Sequence, residues 1–141
     1  IANIVISADS LAGAEYIHKL TVAYAKERTQ FGTLIGSFQS VKHPLVDLFA
    51  LIESAKSAFH YATWAVDADD KGVEVAVAVA RNTNVETYRT TTQTCLQLHG
   101  GIGFTWEYDL HLFLKRARHN QFLFGDADYY DELICQQALC I

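Results

Sequence analysis

The sequence has few of the residues that interrupt helices and no long apolar run of the kind that spans membranes. It contains one proline and eight glycines in 141 residues, and it contains no methionine. No apolar segment approaches the roughly 18 residues that a transmembrane helix needs. The segment that starts at Ile1 also lacks the charged region that opens a signal peptide. Without an initiator methionine, residues 1–141 are expected to be one domain of a longer polypeptide.

Charge and cysteine content argue against further classes of protein. The formal net charge is −5 at pH 7, whereas nucleic-acid-binding domains usually carry a basic face. The three cysteines are Cys95, Cys135 and Cys140. Their odd number and the absence of a CxxC pair favour neither a disulfide framework nor a zinc site. We interpret them as free, buried thiols in a reducing compartment, and therefore expect a cytoplasmic protein.

The apolar residues indicate helices. Half of the residues are apolar and 12% are aromatic, which is sufficient for a core. Helical spacing of the apolar residues predicts helices over 7–28, 37–68, 73–99, 110–118 and 127–139. The second helix has a continuous apolar seam of Val41, Leu45, Leu48, Ile52, Ala55, Phe59, Ala62 and Val66. Three long and two short helices joined by short loops imply an all-α antiparallel helical bundle.

Two glycine-containing stretches at helix ends suggest a family. The first is Tyr-Ala-Lys-Glu-Arg-Thr-Gln-Phe-Gly at 24–32, continuing as Ile-Gly-Ser-Phe-Gln-Ser-Val at 35–41. The second is Gln-Leu-His-Gly-Gly-Ile-Gly-Phe-Thr at 97–105. Together, and separated by a long helix, they resemble the C-terminal domain of acyl-CoA dehydrogenases, an up-and-down four-helix bundle. The resemblance covers almost the whole chain.

The resemblance implies an FAD site that this domain shares with a neighbouring subunit. In that family FAD lies between the middle domain and the bundle, and the bundles form the core of a homo- or hetero-tetramer, a dimer of dimers. The cofactor contacts implied by the resemblance are Arg28, Gln30, Phe31, Gln39, Gln97, Gly100 and Gly101. Each has a plainer interpretation: Arg28 could cap its helix C-terminus, Phe31 could be core, and the two glycines could be a simple helix stop.

The resemblance also implies a reaction, and the sequence departs from the family at the residue that starts it. Family members oxidise an acyl-CoA thioester to the 2,3-enoyl product, and a carboxylate removes the α-proton. Many carry that carboxylate as a Glu followed by Gly-Thr; the aligned residues here are Phe124, Gly125 and Asp126. Others carry it near the position of Ala2. Asp126 and Asp128 are the remaining weak candidates, although Asp at a helix start commonly caps the helix.

Three hypotheses therefore remain open. The chain is a domain of a catalytic dehydrogenase, a non-catalytic supporting subunit of a mixed tetramer like those of bacterial steroid side-chain enzymes, or a helical interaction module without a cofactor. No metal site is expected. Glu15 and His18 have the spacing of a di-iron ligand pair, but no second such pair occurs. The basic run of Lys115, Arg116, Arg118 and His119 is expected to be a solvated helix face.

Overall fold

The structure, a computed structural model, describes residues 1–139 and contains five α-helices. The helices are α1 (Ala2–Glu27), α2 (Gln39–Asp67), α3 (Val73–His99), α4 (Leu110–Phe122) and α5 (Ala127–Leu139). A two-stranded hairpin of β1 (Thr29–Gln30) and β2 (Thr33–Leu34) joins α1 to α2, followed by a 3₁₀ turn at Ile35–Ser37. A second 3₁₀ turn, Gly100–Phe104, follows α3. The predicted all-α bundle is confirmed.

The third and fifth helices have the predicted bounds, while two other predictions were wrong. The first helix starts at Ala2 rather than Ser7, because the Ser7 hydroxyl donates to the Asn3 carbonyl 2.8 Å away within the helix and does not cap it. The fourth helix continues past Arg118 to Phe122. In both places polar side chains near the predicted boundary are bonded inside the fold.

Helix α3 is the central helix, and it packs against the other four. Tyr88 on α3 lies in one cluster with Leu11 and Ala14 of α1 and Ile52 and Ala55 of α2. Replacing a large apolar side chain in such a core by alanine typically costs about 2–5 kcal/mol. A second cluster joins α2 and α3 through small residues: Ala62, Ala65, Ala76 and Ala80.

The seam of α2 is largely as predicted, but its end is shifted. Leu45, Leu48, Ile52, Ala55 and Ala62 are buried. Val66, predicted as the last seam residue, is exposed, and Ala65 is buried in its place. The reason is the alanine contact with α3, since Ala65 rather than Val66 faces that helix.

The cysteine prediction holds for one of three residues. Cys95 is a free, buried thiol in the cluster around Ile17 and Leu48. Cys135 is free but exposed on α5, so its predicted burial was wrong; α5 is a short helix that packs against α3 and leaves much of its surface to solvent. Cys140 lies outside the described residues.

Candidate functional site

The segment between α1 and α2 is a tight hairpin. Thr29 pairs with Leu34 and Gln30 with Thr33. The two residues between the strands, Phe31 and Gly32, have φ angles of +52° and +77°, the combination that a type I′ hairpin turn requires. The Phe31 side chain is 94% exposed, and so the alternative that it belongs to the core was wrong.

The segments on either side of the hairpin pack onto the end of α3 by aromatic and apolar contacts. The rings of Tyr24 and His99 are stacked with centroids 4.2 Å apart. Leu98 packs with the cluster formed by Ala25, Ile35 and Leu45. The two sequence stretches, some 70 residues apart along the chain, therefore meet at one end of the bundle.

Two glycines of the turn after α3 leave open space beside the backbone. Gly100 has φ +64° and ψ −144°, a conformation that is essentially restricted to glycine. A Cβ on Gly100 or Gly101 would have no atom within 4 Å. Gly103 differs, because its Cβ would lie 3.0 Å from the Leu96 carbonyl oxygen. Close packing within the chain thus explains Gly103 but not Gly101, whose open surroundings suit the close approach of a ligand.

His99 supports the turn from inside. Its Nδ1 lies 2.8 Å from the Cys95 carbonyl oxygen, and because a carbonyl only accepts, Nδ1 must carry the proton. Nε2 is then a buried acceptor that has no hydrogen-bond partner among residues 1–139. Burial lowers the pKa of His99, against the opposing effect of the bond to Cys95. The imidazole is therefore neutral and serves as a packing group.

All seven predicted cofactor contacts are exposed at this end of the bundle. They are Arg28, Gln30, Phe31, Gln39, Gln97, Gly100 and Gly101. Within residues 1–139 the Arg28 guanidinium has no hydrogen bond or ion pair; the helix end is closed by backbone bonds from Arg28 N to Tyr24 O and from Ile35 N to Arg28 O, each 2.9 Å. An unpaired guanidinium, exposed amides and open glycine backbone fit the chemistry of a dinucleotide's diphosphate.

The weak catalytic candidates lie in and after the loop between α4 and α5, away from this end. Asp126 is exposed, and its Oδ1 accepts the backbone N–H of Tyr129 at 3.1 Å, the bond of a helix N-cap. Asp128 is exposed on the first turn of α5. Phe124, at the position where many relatives carry Glu, is exposed and has φ +63°.

Sequence reasoning missed two residues that organise this loop, Arg81 and Tyr130. The Tyr130 hydroxyl lies 2.6 Å from the Phe124 carbonyl oxygen and 2.9 Å from Asn3 Oδ1. It therefore joins the loop to the start of α1, so the two positions at which the resemblance implies a base, Ala2 and Phe124, lie at the same end of the bundle. The one available signal was an arginine directly after the apolar run of 75–80, since a charge there needs a specific partner.

Glu15 and His18, which have the spacing of a di-iron ligand pair, have other partners. His18 Nε2 lies 2.8 Å from the Leu45 carbonyl oxygen, and Glu15 pairs with Lys56 at 3.2 Å. No cluster of three His, Cys, Asp or Glu side chains suited to a metal occurs in residues 1–139. The side chains of the basic run on α4 are exposed, as predicted, and Arg116 pairs with Asp9 at 2.8 Å. Over the same residues no helix has the length and apolar character needed to cross a membrane.

Comparison with known proteins identifies the family. A model of the acyl-CoA dehydrogenase C-terminal domain matches residues 2–139. The acyl-CoA dehydrogenase IpdE2 of Mycobacterium tuberculosis is 41% identical over 116 residues, which are 82% of this chain and 35% of that protein. Butyryl-CoA dehydrogenase from Megasphaera elsdenii superposes with a TM-score of 0.93 at 26% identity, covering 97% of this chain and 36% of that one.

A steroid ACAD whose name joins two components, Tcur3481 and Tcur3483, superposes with a TM-score of 0.90 at 28% identity, covering 98% of this chain and 38% of that one. The chain thus spans little more than a third of the length of these relatives. The match to the family model over nearly the whole chain and the 41% identity to a family member agree with the two motif stretches. The chain therefore belongs to the acyl-CoA dehydrogenase family and corresponds to its C-terminal domain.

Proposed function

We propose that this chain supplies FAD contacts and part of the oligomer core of an FAD-dependent acyl-CoA dehydrogenase, which acts in α,β-dehydrogenation of an acyl-CoA thioester. The observation that carries the proposal is the gathering of seven exposed candidate residues at one end of the bundle. They come from the end of α1, the hairpin, the start of α2 and the end of α3, and the Tyr24–His99 stack holds these segments together.

Each residue type has a physical role in such a site. Arg28 offers a planar set of N–H donors to a phosphate oxygen. Gln30, Gln39 and Gln97 offer amides that donate and accept. Phe31, exposed at the hairpin tip, offers a ring face to an aromatic system.

The chain's own residues would bind and orient rather than carry out the redox step. A bound FAD would supply the hydride acceptor for the β-hydrogen of the thioester, and a carboxylate would take the α-proton. A carboxylate suited to that task is desolvated, whereas Asp126 and Asp128 are both exposed. They remain candidates only if another part of the oligomer covers them.

The second candidate function is that of a supporting subunit in a mixed tetramer. It is favoured by Phe124 at the usual base position and by Asp126 acting as an N-cap. The steroid ACAD with two named components supports the same idea. In this case a partner chain would supply the base, and this chain would supply contacts to the FAD.

Oligomer formation is supported by the outer face of α2. Val46, Phe49, Tyr61 and Trp64 are exposed on that helix. A row of large apolar side chains on a surface is typical of an interface. Sedimentation of the full-length protein should give a tetramer, while a monomer would contradict this part of the proposal.

The visible spectrum of the native full-length complex, recorded without oxygen before and after addition of a panel of acyl-CoAs, tests the function. A yellow spectrum that bleaches with one class of thioester supports the catalytic dehydrogenase and identifies its substrate. Flavin that never bleaches until a second chain is added supports the supporting subunit. A colourless complex contradicts both and leaves the interaction module.

Arg28→Ala tests the cofactor site itself. Loss of a charge-assisted hydrogen bond of about 1.5–3 kcal/mol should weaken flavin retention roughly ten- to hundredfold. Arg118→Ala is the matched control, since Arg118 is exposed on α4 and, among the residues that the structure describes, its hydrogen bond is to Gln121 Oε1. Equal flavin content in both variants and the parent would remove Arg28 from the site.

A further inference from the structure

A buried arginine holds the loop between α4 and α5 from inside. Arg81 on α3 is 0% exposed. Its Nη2 lies 3.0 Å from the carbonyl oxygen of Asn120, 3.2 Å from that of Gln121, 3.1 Å from that of Leu123 and 2.6 Å from that of Gly125. Because one nitrogen has two protons, these bonds are shared between carbonyls, and the positive charge faces all four dipoles.

Tyr130 completes the arrangement from α5. Its ring lies under the guanidinium, with the Arg81 Cζ 4.4 Å from the ring centroid. Its hydroxyl lies 2.6 Å from the Phe124 carbonyl oxygen. Arg81 and Tyr130 thus take up the carbonyls of 120, 121 and 123–125, nearly every carbonyl between the last turn of α4 and the start of α5.

This is an energetically expensive way to close a helix. The last carbonyls of a helix lack partners and form the negative end of its dipole, which favours a cation there. Burying that cation is costly, however, unless it is fully compensated, and within residues 1–139 Arg81 makes no hydrogen bond to a carboxylate. A glycine cap would close α4 at far lower cost.

Arg81 and Tyr130 together form a clamp on this loop. The clamp fixes a strained segment whose outer side is exposed to solvent. Phe124 has φ +63° and Gly125 φ +119°, and a left-handed phenylalanine persists only where its surroundings impose it. The Phe122 and Phe124 side chains are both exposed. The inner side of the loop is held by its carbonyls, while the outer side displays aromatic side chains and Asp126.

We propose that Arg81, together with Tyr130, is a positioning residue that sets the place of the loop 120–126 beside the start of α1, so that Phe124 and Asp126 meet the substrate side of the dehydrogenase at a fixed position. The Tyr130 hydroxyl, 2.9 Å from Asn3 Oδ1, fixes the loop relative to α1. The functional part of this inference rests on the proposed function.

The clamp and the cofactor end can be tested separately. Arg81 precedes Gln97 on α3 by sixteen residues, which at 1.5 Å per residue is about 24 Å along the helix axis. A change at Arg81 should therefore leave flavin content intact while it releases the loop.

The experiment compares Arg81→Met, Arg81→Lys and Tyr130→Phe in the full-length oligomer. Amide hydrogen exchange is measured for individual peptides by mass spectrometry, and the flavin content per protomer is measured by absorbance. The kcat and KM are measured with the acyl-CoA that bleaches the flavin of the unsubstituted protein. Arg89→Met is the control, since Arg89 lies on the same helix but bonds to Glu86 on its surface. Arg81→Met should speed exchange in 120–126 and lower kcat about tenfold or more through misplacement of the loop, with flavin unchanged.

Lysine should restore part of kcat, because its ammonium also donates to carbonyls. If Arg81→Met does not fold, Tyr130→Phe tests the proposal, since this change keeps the ring and removes only the hydroxyl. Faster amide exchange around residue 124 and a lower kcat are expected for Tyr130→Phe. Unchanged exchange in both variants overturns the clamp, and faster exchange with unchanged kcat overturns its positioning role. A parent without flavin contradicts the proposed function instead, and a parent with flavin but no turnover favours the supporting subunit; in both cases the exchange data still judge the clamp.

Discussion

Gly13→Ala should destabilise the chain, although alanine is the better helix former. Gly13 lies inside α1, and its replacement by alanine would ordinarily gain about 1 kcal/mol of helix propensity. An added Cβ would lie 2.5 Å from Tyr88 Cζ and 2.8 Å from its Oη. Tyr88 is 2% exposed and packed by Leu11, Ile52 and Ala55, so movement of its ring away from the added Cβ would break core contacts.

Relief of the clash must therefore move α1, α3 or the Tyr88 ring out of its packed position. Overpacking of this kind costs about 1–3 kcal/mol, so the balance after the propensity gain is a loss of about 1 kcal/mol. Urea unfolding followed by helical circular dichroism measures it. With a slope of about 2 kcal/mol per molar urea, the midpoint should fall by about 0.5 M.

A second variant isolates the cause. In a Tyr88→Leu background the ring is gone, and Gly13→Ala should then raise stability relative to Tyr88→Leu alone. The difference between the two effects is the coupling energy of a double-mutant cycle. Stabilisation by Gly13→Ala in the parent would refute the reasoning, because it would show that the ring can move without cost.

Three further predictions concern reactivity, pH and the cofactor. Burial raises the pKa of Cys95 to about 11, against a bond from Thr21; an alkylating reagent at mildly alkaline pH should label exposed Cys135 in the native chain and Cys95 only after denaturation, as peptide mapping would show. Burial also lowers the pKa of His99. Since the imidazole of the unfolded chain still protonates near pH 6.5, the free energy of unfolding should fall as pH drops from about 6.5 through the lower pKa of the folded state. Urea titrations should show that His99→Phe reduces this loss of stability at acid pH. The chain without the rest of its oligomer should bind FAD weakly, and tight stoichiometric binding by calorimetry would contradict a site shared between subunits.

Helices could be predicted from the sequence where apolar periodicity and glycine or aspartate boundaries coincide. The α3 helix runs from the residue after Gly72 to the residue before Gly100, and both boundaries were visible in the sequence. The start of α1 was missed, since the predicted helix began at Ser7 whereas α1 begins at Ala2, so that Ser7 and Ser10 both lie inside it. Their hydroxyls are in fact bonded within the fold, Ser7 to Asn3 O and Ser10 to Asn120 Nδ2.

The cofactor candidates could be proposed from sequence because they lie in two short, contiguous motifs. Their exposure and their gathering at one end are features of the fold. The clamp was not accessible in this way, since Arg81 and Tyr130 are 49 residues apart. Their partners are backbone carbonyls, which leave no pattern of residue types for a sequence reader to find.

The central position of α3 constrains how the domain can evolve. The helix carries the Arg81 clamp near one end and His99 with the Gly100 turn at the other, and it contacts all four other helices between them. Inserting or deleting a single residue in between would rotate one end against the other by about 100°, the angle per residue of a helix with 3.6 residues per turn. Substitutions can accumulate along α3, but the eighteen-residue spacing from Arg81 to His99 must be inherited unchanged.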